Sequence, residues 1–127
     1  MGIDLKNWMQ TLTDGSDLLA LNLCGTHDCV TQHLRLPHFF CCQALTVYEQ
    51  LLLGVRALDI RVRADGKCLT MVHGIFPAYN HSCHRANLMD MGEVRSQCDR
   101  FLDECPREAV VFQFKNDNGK ENEQCID

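Results

Sequence analysis

Residues 19–31 read LALNLCGTHDCVT. The apolar run Leu19–Leu23 enters a turn of small residues that delivers His27 and Asp28 side by side, which is how a strand hands reactive groups to the mouth of an α/β barrel. A loop whose His and Asp only cap or solvate the backbone would have the same composition. The meaning of the pair therefore depends on what the rest of the chain brings beside it.

Upstream, Leu5, Trp8, Met9 and Leu12 fall at helical spacing before Asp14-Gly15, so residues 1–18 are expected to form a short amphipathic entry covering the bottom of the fold. Downstream, residues 30–43 show no period and carry Pro37, the composition of a long loop. Tyr48, Leu51, Leu52 and Val55 then repeat as one face of a helix over 45–55, with Gly54 near its end. Next, ALDIRVRA at 57–64 alternates Leu58, Ile60 and Val62 with Asp59, Arg61 and Arg63, so a strand places three charges on one face. If the apolar face packs on helices, the charged face points into a cleft. Unmatched charges there would cost several kcal/mol each, so a ligand or partner is expected to meet them.

After Asp65-Gly66-Lys67, the run CLTMVHG at 68–74 reads as a third strand with His73 at its C-terminal end. Residues 75–90 are irregular. Val94, Cys98, Phe101, Leu102 and Cys105 form one stripe of a helix over 92–105 that Pro106 stops. AVVFQFKND at 109–117 makes a fourth strand, and the polar NGKENEQCID at 118–127 suits a loop leading to a further helix. The alternation implies an α/β fold with about four strands in a parallel arrangement.

Composition narrows the function classes. The chain has 127 residues, 46% hydrophobic and 23% charged, with a net charge of -5, which fits one globular domain. The acidic balance and scattered arginines argue against a nucleic-acid surface. No run approaches the roughly 20 apolar residues of a membrane span and the N-terminus lacks a signal-type apolar stretch, so the cytoplasm is the default location. Nine cysteines cannot all pair within one chain, and Cys98 and Cys105 sit where a free thiol serves as a small hydrophobe. Cys41, Cys42, His81, Cys83 and His84 lack the two-residue cysteine spacing of zinc ribbons and fingers, so zinc is not expected there.

The strand ends gather His27, Asp28, Asp59, Arg61, His73 and Lys115. Two histidines, a guanidinium and carboxylates suit phosphodiester cleavage: one imidazole takes a proton from the attacking hydroxyl, the other protonates the leaving oxygen, and the arginine holds the phosphate.

With those residues in view the chain resembles the phosphatidylinositol-specific phospholipase C family, in its bacterial-type X domain. The likeness rests on NWM at 7–9, LCGTHDCVT at 23–31, Gln43, EQLLLGVRALDIRV at 49–62, MVHG at 71–74 and FLDECPREAVVFQFKND at 101–117. It implies that His27 is the general base on the inositol 2-hydroxyl and His73 the general acid for the diacylglycerol oxygen. Arg61 would clamp the phosphate where calcium-dependent relatives place a metal. Asp28 would orient His73, with Asp59 and Lys115 among the substrate-binding groups. The implied products are diacylglycerol and a 1,2-cyclic inositol phosphate, made without calcium, another metal or a cofactor.

The resemblance also implies a distorted (β/α)8 barrel of which residues 1–127 would be a truncated first half, a single partial X domain. The carboxylate that pairs with the first histidine would then lie in the other half, leaving nothing here to orient His27. The implied partners are a phosphatidylinositol lipid, free or as a glycosylated anchor, and a transient membrane surface reached through Trp8, Phe39, Phe40 or Phe76. An open barrel edge would allow self-association. Related bacterial-type enzymes are often secreted. Two family positions differ: Cys24 replaces the usual proline before GTHD, and Cys29 the usual serine after it. The alternatives are an inactive fragment that binds inositol phosphate through Arg61, Lys115 and Arg63, or binds a partner half, and a glycerophosphodiester phosphodiesterase-like enzyme. The latter chemistry relies on acidic metal ligands, and Arg61 stands where one would be.

Overall fold

In the computed structural model, residues 2, 4–35, 37–65, 68–82 and 86–117 are described. The architecture is built on the charged, alternating strand β2 (Ala57–Asp65). Along one edge it pairs in parallel with the short β1 (Gly25–Thr26) and then antiparallel with β3 (Cys68–His73). Its other edge carries β5 (Val111–Asn116), parallel over six residue pairs from Ala57↔Val111 to Val62↔Asn116. The two-residue β4 (Phe76–Pro77) continues from β3 and completes a five-stranded mixed sheet.

Helices cover the apolar face. Leu58 and Ile60 are fully buried beneath α2 (Val47–Leu52) and α3 (Met91–Glu104), which contribute Val47, Leu51, Val94, Cys98 and Phe101 to the same core. Each such side chain stabilises the fold by about 1.5–3 kcal/mol through burial. Local signals set the helix ends: Thr46 and Glu49 form a capping box at α2, and the Asp90 carboxylate accepts from the Glu93 amide at α3. A third helix, α1 (Pro37–Phe40), is a single turn inside the loop expected over 30–43. No described helix is long and apolar enough to cross a membrane.

Three expectations are corrected. The first strand is not Leu19–Leu23: Asp17 caps a 3-10 turn at Leu18–Ala20, Leu19 is 94% exposed, and pairing begins only at Gly25. The described strands number five rather than four, because Phe76–Pro77 pairs with β3 in the stretch expected to be irregular. The sheet is mixed rather than parallel, since Asp65 pairs with Cys68 and two intervening residues can only close a hairpin. The turn residues Gly66 and Lys67 and the tail at 118–127 lie outside the described residues.

A buried ion pair ties the N-terminal end of β2. Arg56 is fully buried and donates from Nε and Nη2 to Glu108 Oε2 at 2.9 and 2.6 Å. Its guanidinium also donates to the carbonyls of Leu51, Val55 and Lys6, and its face lies 4.6 Å from the Phe101 ring centroid. Glu108 Oε1 accepts from the amides of Met9 and Gln10 in the 3-10 segment Leu5–Thr11. That segment thus closes the end of the sheet opposite the charged face's mouth, as expected. Trp8 belongs to this end, its indole donating to the Gly54 carbonyl at 3.1 Å, so it is not grouped with the aromatic residues near His73.

Candidate active site

Gly25 sets the approach of β1 to β2: a Cβ there would lie 3.3 Å from both the Ala57 side chain and its carbonyl oxygen. The Cys24 carbonyl accepts from the amides of Arg56 and Ala57. Only this carbonyl is used, so replacing proline at position 24 removes a ring but no hydrogen bond. Beyond Thr26 the chain turns at Asp28, whose φ of 46° makes it the one described non-glycine residue in the left-handed region. Asp tolerates that conformation better than most side chains, at a local cost in strain. Gln50 of α2 stabilises the turn on both sides. It accepts from Thr26 Oγ1 at 2.7 Å and donates to the carbonyls of Cys29 and Leu45 at 2.8 Å. Gln43 donates to the His27 carbonyl at 2.7 Å.

These contacts bring the sequence-selected side chains together. His27 Nδ1 lies 2.7 Å from Asp59 Oδ2, and its Nε2 lies 3.0 Å from Asp28 Oδ2. His73 Nε2 approaches the same Asp28 oxygen at 3.2 Å from the end of β3. One buried carboxylate oxygen therefore sits between two imidazoles. Both rings thus present Nε2 to the same carboxylate oxygen, a spacing over which a proton could pass between them. Asp28 is 1% exposed and its Oδ1 has no hydrogen-bond partner, although Arg61 Nε stands 3.6 Å away.

Arg61 Nε donates to both Asp59 oxygens, at 3.0 and 3.1 Å, and Nη1 lies 3.6 Å from Asp117. Burial pushes the Asp59 carboxyl up, but Arg61, the Asp28 amide and His27 outweigh it and hold it below the ordinary value. The expectation that nothing in this chain orients His27 is thus corrected: Asp59 does so, from the face that alternation assigned to charge. Lys115 is aligned with Arg61 across β2 and β5 but joins the cluster only through Asp117, 3.3 Å from its Nζ. An open cleft of about 430 Å³ along β1, β2 and β5 reaches His27, Asp59 and Arg61.

Sequence reasoning passed over Asp117 and Gln50. Asp117 follows β5, two positions after Lys115, a spacing that could have placed it on the same face. Gln50 lies off the apolar stripe read from the sequence, and its burial beside Val47 and Leu51 follows only from the fold. Cys42 also enters the site, its Sγ 3.8 Å from Asp28 Oδ2, while its amide donates to Thr31 Oγ1. The seven described cysteines are all free thiols, and burial pushes the thiols of Cys29 and Cys98 up to about 12. Cys83 and His84 lie outside the described residues.

No family model matches the chain. It is 31% identical over 121 residues to the 1-phosphatidylinositol phosphodiesterase of Listeria monocytogenes, and 29% identical over 115 residues to that of Staphylococcus aureus strain Newman. These alignments cover 91% and 88% of this chain and 34% of each relative. Among solved structures, a Staphylococcus aureus phosphatidylinositol-specific phospholipase C superposes with a TM-score of 0.79 at 26% identity, covering 98% of this chain and 39% of the other. The Listeria monocytogenes phospholipase C gives a TM-score of 0.75 at 26% identity, covering 97% of this chain and 42% of that one.

Over its own length the chain is similar to part of the bacterial phosphatidylinositol-specific phospholipases C. It spans about a third of the length of the curated phosphodiesterases it matches. The mixed α/β sheet is consistent with part of the barrel of those phospholipases C.

Proposed function

We propose that this chain cleaves the phosphodiester of phosphatidylinositol, free or as a glycosylated anchor, by acid–base catalysis between His27 and His73. The observation that carries the reading is the single Asp28 oxygen 3.0 Å from one imidazole and 3.2 Å from the other, with Arg61 beside it. Asp59 accepts a hydrogen bond from the Nδ1–H of His27, leaving Nε2 unprotonated to draw the proton from the inositol 2-hydroxyl. That oxygen attacks the adjacent phosphorus. Because the nucleophile belongs to the substrate, the step is intramolecular and gives a 1,2-cyclic phosphate.

Negative charge growing on the phosphoryl oxygens is met by Arg61. His73 donates its proton to the departing diacylglycerol oxygen, and Asp28 keeps that ring aimed and passes protons between the two histidines. Lys115, more than half exposed, is placed to meet inositol hydroxyls or phosphate. Membrane contact falls to an aromatic group around His73. Phe40 stacks on Phe76 with centroids 4.4 Å apart and lies 5.8 Å from the His73 ring, while Phe39 and Ile75 are 81% and 67% exposed. A structural relative from Staphylococcus aureus is described in terms of membrane binding.

Cleavage of phosphatidylinositol in detergent micelles tests the reading. His27→Ala and His73→Ala should each lower turnover by about 100- to 10,000-fold. Turnover that survives both changes would remove the two histidines from the chemistry. A glycerophosphodiester phosphodiesterase-like reaction would instead be abolished by chelators, which this reading expects to be harmless.

A further inference from the structure

We propose that His27 Nε2, the Asp28 carboxylate and Cys42 Sγ form a binding site for zinc or a similarly thiophilic divalent cation, which withholds His27 and Asp28 from proton transfer when filled. The three ligand atoms lie within 4.8 Å of one another. Asp28 Oδ2 is 3.0 Å from His27 Nε2 and 3.8 Å from Cys42 Sγ. A tetrahedral zinc with bonds of about 2.0–2.3 Å separates its donors by roughly 3.3–3.7 Å, so only small shifts are needed.

Several independent features fit this cation. The His27 Nδ1 contact to Asp59 at 2.7 Å leaves Nε2 as the ligating nitrogen and supplies the carboxylate behind a metal-bound histidine. Asp28 is buried, and its Oδ2 faces His27 Nε2, His73 Nε2 and Cys42 Sγ together, while Oδ1, which has no hydrogen bond, turns toward Arg61. Sulfur, imidazole and carboxylate together select zinc over the all-oxygen ligation of calcium or magnesium. A thiolate and a carboxylate carry two negative charges, which match a dication even with Arg61 standing 3.6 Å from the far Asp28 oxygen.

On binding, the cation sits between His27 Nε2 and Asp28 Oδ2 and takes the place of the Cys42 thiol proton, which leaves to solvent. The fourth position is left to water. The ligands come from the turn after β1 and the loop after α1, so filling the site joins two segments that side-chain contacts alone now connect. This site is distinct from catalysis by metal: the occupied state is the inactive one.

Cobalt(II) titration of the metal-free, reduced 127-residue chain tests it without reference to turnover. A thiolate-to-cobalt charge-transfer band should appear at one ion per chain, and zinc should displace it. Cys41→Ser should keep the band, because Cys41 Sγ is directed to the Gln32 and Gln43 carbonyls, whereas Cys42→Ser should lose it and weaken zinc binding at least about tenfold. In the unsubstituted chain, zinc should protect Cys42 but not Cys41 from alkylation, read by peptide mass spectrometry. A band that persists in Cys42→Ser, or equal labelling of both cysteines with and without zinc, would overturn the proposal. Because these readouts ignore catalysis, failure of the phospholipase reading would leave them unchanged.

Discussion

Asp59 is the residue on which the proposed acid–base arrangement turns. It accepts from Arg61, faces His27 Nδ1 and receives the Asp28 amide at 3.3 Å. Asp59→Asn keeps the shape but allows the wrong ring nitrogen of His27 to carry the proton. Turnover should fall by about 100-fold or more, with a smaller change in KM. The same carboxyl also predicts a pH effect on stability. Its folded value lies below the unfolded one, so its contribution is present above the usual carboxylate value near ~4 and is lost as pH falls through the lower, folded value. Urea midpoints measured downward from ~pH 5 should therefore drop less steeply in Asp59→Asn than in the unsubstituted chain. At this scale the sequence was informative. Alternation alone put Asp59 and Arg61 on one face, and a histidine at a strand end proved to adjoin them. What could not be read was that Asp28 adopts positive φ and thereby sets its carboxylate between two rings, because that depends on β1 meeting β2 at Gly25.

At the scale of elements, the strand pattern of β2 and the helical stripe of α3 were legible because burial imposes a clear period on each. The stretch at 19–24 was not. Its leucines look like a strand, but Asp17 offers Leu19 a local hydrogen bond and the run stays outside the sheet. Arg56 was read as one of several scattered arginines, whereas it is the largest fully buried side chain. Nothing in a single sequence distinguishes an arginine whose partner, Glu108, lies 52 residues away. Glu108→Ala leaves that guanidinium buried and uncompensated and frees the amides of Met9 and Gln10, so it should cost about 3–5 kcal/mol. Urea unfolding followed by circular dichroism reads that loss. A change below ~1 kcal/mol would show that water reaches Arg56 in the variant.

For the whole molecule, the decisive feature is that one face of a mixed sheet is covered by helices while the other gathers the charges, with exposed aromatic and aliphatic side chains at its rim. The α/β class and the gathering of His27, Asp28, Asp59, Arg61 and His73 could be inferred from the order of motifs, but the antiparallel β2–β3 pairing followed from a link of two residues whose consequence is geometric. The outer side of β5 carries no strand among the described residues, and Phe114 there is 51% exposed. Phe39 and Ile75, exposed at the His73 end, are the side chains that the proposed function assigns to a lipid surface. Phe39→Ser with Ile75→Ser should reduce sedimentation with phosphatidylinositol vesicles several-fold while leaving the thermal midpoint nearly unchanged. Undiminished vesicle binding would assign both to packing or to another surface.

The most direct test of the central claim is phosphorus NMR of the 127-residue chain acting on phosphatidylinositol micelles in excess EDTA, beside His27→Ala. The account predicts a 1,2-cyclic inositol phosphate resonance from the unsubstituted chain and none from the variant. A folded sample that gives no cyclic product, or the same product from His27→Ala, would contradict it.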